Sequence, residues 1–111
     1  MDKLLIVWSS GEIEVAKKMV LLYSSVILPR GYWDKAHLMI WGPSAKLLAE
    51  SSELQEMLNR VKETGVELSC CVVCSDDYGV TEKLASLGIE MIHTGEILTN
   101  ALKEDWKVIT F

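Results

Sequence analysis

The sequence predicts an α/β fold in three layers, with a parallel sheet held between helices. Two features lead to it. Short, almost continuously apolar runs alternate with helix-patterned stretches along the whole chain. The first two runs show no polar alternation, as expected of strands covered on both faces. Helices joining such strands make right-handed βαβ units and so a parallel sheet. No linker, internal repeat or low-complexity stretch interrupts residues 1–111. That length holds one core and does not divide, so a single domain is expected.

The elements follow in order. Residues 4–8 (LLIVW) form the first strand. Ser9-Ser10-Gly11-Glu12 has capping-box spacing and opens a helix over about residues 12–28, which Pro29 and Gly31 end. Residues 36–41 (AHLMIW) are the second strand, and Gly42-Pro43 starts the next helix with proline at its first position. A break is expected near Ser51-Ser52, where Ser52 and Gln55 form a second capping-box pair. Leu54, Met57, Leu58 and Val61 then make an apolar stripe at helical spacing, closed by Gly65. Residues 66–73 (VELSCCVV) are the third strand, and residues 77–87 a helix stopped by Gly88. Residues 89–93 are the fourth strand, 95–102 the last helix, and 106–111 the fifth strand.

Composition narrows the function. The net charge is −5 without any cluster of Lys or Arg to offset it, so neither nucleic acid nor an anionic membrane surface is an expected partner. No apolar run has the length of a membrane span, and the five residues 4–8 are too few for a signal-peptide core. Three cysteines, two of them adjacent, do not form a secreted disulfide framework. Reduced thiols and a cytoplasmic location are expected instead. Half the residues are apolar, which points to an oligomer that covers part of the surface.

In open parallel sheets, ligands and reactive groups gather at the carboxyl ends of the strands. Here those ends are Ser9-Ser10-Gly11, Gly42-Pro43-Ser44, residues 71–77 and His93-Thr94-Gly95. The richest in chemistry is the third. Strand parity puts Cys70 with Val66 and Leu68, where it reads as a small buried hydrophobe, and Cys71 on the other side with Glu67 and Ser69. Cys71 and Cys74 make a C-x-x-C at a strand-to-helix junction, where a helix N-terminus lowers a thiol pKa. The pair is compatible with a redox dithiol, half a metal site, a persulfide carrier with a resolving thiol, or two structural cysteines. A zinc site needs further ligands, and only Cys70, His37 and His93 are candidates.

Supporting residues are expected from the neighbouring strand ends: Ser9, Ser10 and Gly42, with Ser75 and Asp76 in the cysteine loop. His93 offers a base or proton donor. Asp76 and Asp77 read as caps of the following helix, and they oppose thiolate formation if they lie near Cys71. Trp8 and Trp41 read as core aromatics. The cysteines lack the prolines of a thioredoxin site, and Ser9-Ser10-Gly11 matches no phosphate-binding glycine motif. No cofactor is expected.

The chain resembles the DsrE/DsrF-like family, which includes TusD-type sulfur-relay subunits. The resemblance is carried by WSSGEIEVA (8–16), IWGPSAK (40–46), CVVCSDDYGV (71–80), LASLGIE (84–90) and the closing WKVITF. It implies a five-stranded sheet in the order 4-3-2-1-5 and homo- or hetero-oligomers such as trimers or hexamers. It also implies sulfur handling by one cysteine standing eight residues before a Gly-Val pair. With Gly79-Val80 as that pair, the role falls on Cys71. TusD-type chains continue with small apolar residues, where this one has Cys74, Asp76 and Asp77. The function expected is a sulfurtransferase-like carrier that holds sulfane sulfur as a persulfide on Cys71, with a donor or acceptor protein as partner. The alternatives are an oligomeric redox-sensing or partner-binding module built on Cys71 and Cys74, and zinc binding.

Overall fold

A computed structural model describes residues 1–111. Five parallel strands run β1 (Lys3–Trp8), β2 (Lys35–Ile40), β3 (Glu67–Cys71), β4 (Glu90–Ile92) and β5 (Lys107–Thr110), in the spatial order β4-β3-β2-β1-β5. The sheet order implied by the family resemblance is therefore the observed one.

Helices cover the sheet unequally, and the strand order explains why. Steps from β1 to β2, β3 and β4 all go the same way across the sheet, so right-handed crossovers put their helices on one face. That face holds α1 (Ile13–Val15), which continues through a π-helical stretch, Ala16–Val20, into α2 (Leu21–Val26), followed by α3 (Pro43–Glu50) and α4 (Ser52–Glu63). It also holds α5 (Val72–Tyr78) and α6 (Thr81–Ser86). The step from β4 to β5 runs back across the whole sheet, and α7 (Thr94–Lys103) lands on the other face.

The core follows this division. Ile6, Trp8, Leu38, Ile40 and Cys70 meet Val20, Leu48, Leu58 and Leu84 in the larger cluster. Leu5, Val7, Met39 and Ala101 make the smaller one beneath α7. Burying a side chain such as Leu or Ile stabilises by roughly 1.5–3 kcal/mol. The larger cluster, with 20 buried residues, is therefore the main source of stability.

Boundaries around the cysteines differ from the sequence expectation, and the single helix expected over residues 77–87 is replaced by α5 and α6. The third strand stops at Cys71 rather than Val73, and helix begins at Val72 rather than near Asp77. Tertiary packing turns two β-branched valines into a first helical turn, because Cys71 itself caps it. Asp76 and Asp77 consequently lie in the last turn of α5, where they cap nothing at its N-terminus. The helix ends at Gly79, whose φ of 71° is a left-handed C-cap.

The serine caps are displaced by one position or more. Ser51, not Ser52, caps α4, accepting the Leu54 N–H at 3.2 Å. Gln55 turns back to donate to the carbonyls of Leu48 and Ala49 at the C-terminal end of α3. At α1, the Glu12 carboxylate accepts from Glu14 and Val15 N–H at 2.8 and 3.1 Å, displacing the serines from that role.

Candidate functional site

Adjacent strands whose outgoing helices go to opposite faces leave a crevice at their carboxyl ends. In this fold those strands are β3, leading to α5, and β4, leading to α7. Cys71 ends β3 opposite Ile92 of β4, so it stands in that crevice. Its backbone is extended (φ −62°, ψ 113°), and its Sγ accepts the Cys74 N–H at 3.4 Å as a serine or aspartate cap would. A thiolate accepts better than a thiol, so this geometry favours the ionised form.

The two adjacent cysteines have opposite surroundings. Cys70 is fully buried among aliphatic side chains, and burial, joined by the nearby Cys71 and Cys74 charges, pushes its thiol up to about 12. Cys71 faces the α7 side and belongs to neither apolar cluster. Burial is the largest single influence on it and raises its pKa. Hydrogen bonding that the charged form draws from the Cys74 N–H and thiol, the Thr94 hydroxyl and the Val73 N–H together outweighs burial and holds its pKa below the usual thiol range. Parity led to an expectation that Cys71 would be the less sequestered; it is 7% exposed, close-packed but polar in its neighbours.

Cys74 sits at the third position of α5, not in a loop, and is half-buried. Its pKa is raised, chiefly by burial and by the hydrogen bond it gives to Cys71; the Cys71 and Asp77 charges add to this, while the Gly42 N–H opposes it. The pair is thus arranged as an acceptor at Cys71 and a donor at Cys74. Val73 between them is 54% exposed, so the surface lies beside the pair while Cys71 itself is buried.

The other expected residues divide. Gly42 acts on the pair only through Cys74, whose ionisation its backbone N–H favours, and its φ of 77° suits glycine. Ser44 pins the same corner, donating to the Trp8 carbonyl and accepting from the Trp41 N–H. Ser75 is fully buried and structural: its hydroxyl donates to Val72 O and pairs with Thr81, which donates to Asp76. Asp76 therefore closes the α5–α6 corner, and Asp77 acts on Cys74 rather than on Cys71. Ser9 donates to Phe111 O at 2.9 Å and Ser10 accepts from the Glu12 N–H, so both serve the end of β1. His93 is exposed, at the N-cap position of α7, and makes no side-chain cap.

His37 lies within β2, with Nε2 2.7 Å from Ser69 Oγ and Nδ1 3.5 Å from Glu67 Oε2. These contacts engage both ring nitrogens, and neither involves Cys71 or Cys74. No three His, Cys, Asp or Glu side chains converge to hold a metal ion. The largest surface concavity, about 830 Å³, lies elsewhere, between α4 and the end of α6, and is open and polar. Thr94 was not among the expected site residues. The signal for it was its place, a hydroxyl opening the helix after β4, beside the reversal in strand order.

The fold is shared with known proteins. Among solved structures, a conserved protein of unknown function, BT1422 from Bacteroides thetaiotaomicron, is 28% identical, with 99% of this chain and 95% of that one covered and a TM-score of 0.94. The ychN protein from E. coli, 22% identical with both chains fully covered, has a TM-score of 0.74 and shares the fold. No curated protein matches the sequence. The DsrE/DsrF-like family profile matches residues 35–111, a span that runs from β2 through the cysteine pair to β5; the chain belongs to the DsrE/DsrF-like family.

Proposed function

We propose that this protein is a sulfur carrier of the relay type, with Cys71 as the residue that holds the sulfur. The observation that carries this reading is the Cys71 Sγ at the end of β3, with the Cys74 N–H directed onto it. The family as a whole is associated with sulfur relay, and the position of the cysteine suits that chemistry. The Cys71 thiolate attacks the outer sulfur of a donor persulfide, R–S–SH. The donor S–S bond breaks, its electron pair leaves with R–S⁻, and a new bond makes Cys71–S–SH with the proton retained on the outer sulfur. Attack by an acceptor thiolate on that outer sulfur passes it on, with no net oxidation.

Cys74 has two roles in this scheme. Its thiol gives a hydrogen bond to the Cys71 anion, and its thiolate, once formed, attacks Cys71 Sγ to close a Cys71–Cys74 disulfide and release HS⁻. A dithiol reductant then resets the pair. The donor and acceptor are proteins that approach the rim at Val73, and a homo-oligomer in a reducing, cytoplasmic setting completes the proposal. No helix is long and apolar enough to cross a membrane.

Loading tests the reading. Incubated with polysulfide or a cysteine desulfurase, the protein gains about 32 Da per added sulfur at Cys71, and Cys71→Ser does not. Equal loading of the variant by mass spectrometry rejects the assignment. A second reading, a redox switch, is favoured by the closeness of the two cysteines, with the Cys74 N–H 3.4 Å from Cys71 Sγ. It predicts a reversible disulfide that changes assembly or partner binding while no sulfur moves.

A further inference from the structure

Thr94 carries the one buried hydroxyl at this crevice that is left without a partner. It is the first residue of α7, a helix of 10 residues, and is 1% exposed. Its hydroxyl has no hydrogen-bond partner. A buried hydroxyl without a partner weakens a fold, and native structures carry few of them. The other such atom in the chain is Ser24 Oγ, in α2 on the far face. Thr94 differs because of what it faces. It follows β4 by two positions, β4 pairs Ile92 with Cys71, and α7 packs against β3, so α7 starts at the same end of the sheet as the Cys71 sulfur. His93 before it supplies no side-chain cap, and a Cβ built on Gly95 after it meets nothing within 4 Å. The helix start is therefore uncapped by side chains, with open space alongside.

We infer that Thr94 is a positioning residue for sulfur transfer, its Oγ1–H turning onto the sulfur anion of Cys71 when that anion forms. This rests on the carrier reading for its purpose. The neutral Cys71 thiol is a weak acceptor, which accounts for the idle hydroxyl. A thiolate, or the outer sulfur of a deprotonated persulfide, is a strong acceptor of hydrogen bonds. The two helix starts then act together: α5 presents the Cys74 N–H from one face of the sheet, and α7 presents the Thr94 hydroxyl from the other. The influence of the Thr94 hydroxyl on Cys71 ionisation has the same sense, favouring the charged form.

The inference separates stability from reactivity. Thr94→Val keeps the shape and removes a hydroxyl that satisfies nothing in the thiol form, so the reduced protein at pH 6 melts no lower than wild type. Cys71 alkylation by iodoacetamide at pH 7, read by site-resolved mass spectrometry, slows about three- to tenfold, and its pH midpoint moves up. Thr94→Ser retains the donor and restores both. A Thr94→Val profile that superimposes on wild type overturns the inference, as does an equal slowing in Thr94→Ser, which would assign the effect to packing. If Thr94→Val proves unfolded, the stability half is refuted outright, and Thr94→Ala against Thr94→Ser carries the reactivity half. Persulfide loading of wild type is measured alongside. Wild type that never loads refutes the carrier reading while the alkylation profiles still decide on Thr94.

Discussion

Replacing Cys74 by serine and by alanine, in parallel, separates what its thiol does for Cys71 from what it does as a second nucleophile. Both variants keep the Cys74 backbone N–H that lies 3.4 Å from Cys71 Sγ. Serine also keeps a side-chain donor, whereas alanine does not. Removing sulfur loosens the packing around Cys71 and admits water, which by itself favours the thiolate. Because burial is the largest influence on Cys71 and acts against ionisation, this relief cannot be neglected. It enters both variants in the same direction, so their ratio isolates the hydrogen bond. Taking about 1 kcal/mol for a side-chain bond to an anion, modest because the acceptor is sulfur, the thiolate population differs by roughly fivefold. Iodoacetamide rates at Cys71 between pH 6 and 9 are therefore expected to be about fivefold faster for Cys74→Ser than for Cys74→Ala. Neither variant closes the internal disulfide, so a persulfide loaded on Cys71 outlives the wild-type one equally in both. Alanine reacting as fast as serine would refute the donor role. A persulfide lifetime unchanged from wild type would refute the resolving role.

Two further expectations concern the scaffold. Cys70, held near 12 in the fold against an ordinary 9.0, keeps its proton where the unfolded chain has lost it. Stability from this group is full below pH 9 and falls by about 1.4 kcal/mol per unit as pH rises toward 12; chemical denaturation under reducing conditions should show Cys70→Ala losing less stability than wild type over that range. Ser51→Ala removes the cap of α4 and is expected to cost about 1 kcal/mol, read as a lowered urea midpoint with Cys71 alkylation unchanged.

Much of the architecture was legible because apolar runs and glycine stops mark where strands and helices alternate, and parity alone separated Cys70 from Cys71. What the sequence obscured were local contests settled by tertiary contacts. Val72 and Val73 favour strand by type, yet the cap from the Cys71 sulfur and the packing of α3 against α5 draw them into helix. Ser52 matched the capping pattern as well as Ser51 did, and only the direction of Gln55 toward Leu48 and Ala49 distinguishes them. Asp76 and Asp77 looked like caps because the helix start was placed five residues late. Thr94 stayed hidden for another reason: its importance depends on α7 crossing to the opposite face, a consequence of strand order that no local pattern records.

That strand order also explains how the fold chooses one thiol from two neighbours. Cys70 and Cys71 are adjacent on one strand and differ only in the face the pleat gives them. The face of Cys70 is covered by the helices of three successive crossovers, and its sulfur meets aliphatic carbon. The face of Cys71 is covered by α7 alone, whose N-terminus brings polar groups rather than side-chain hydrocarbon to the end of β3. One pleat therefore drives two identical side chains in opposite directions, Cys70 up and Cys71 down. A slip of one residue in the β2–β3 register, now Ile40 opposite Cys70, would exchange them. It would place an ionisable thiol in the aliphatic core and an apolar-facing position at the crevice. The packing of Leu68 and Cys70 against Leu38 and Ile40 thus does more than stabilise the sheet, since the same contacts fix which sulfur is presented for reaction.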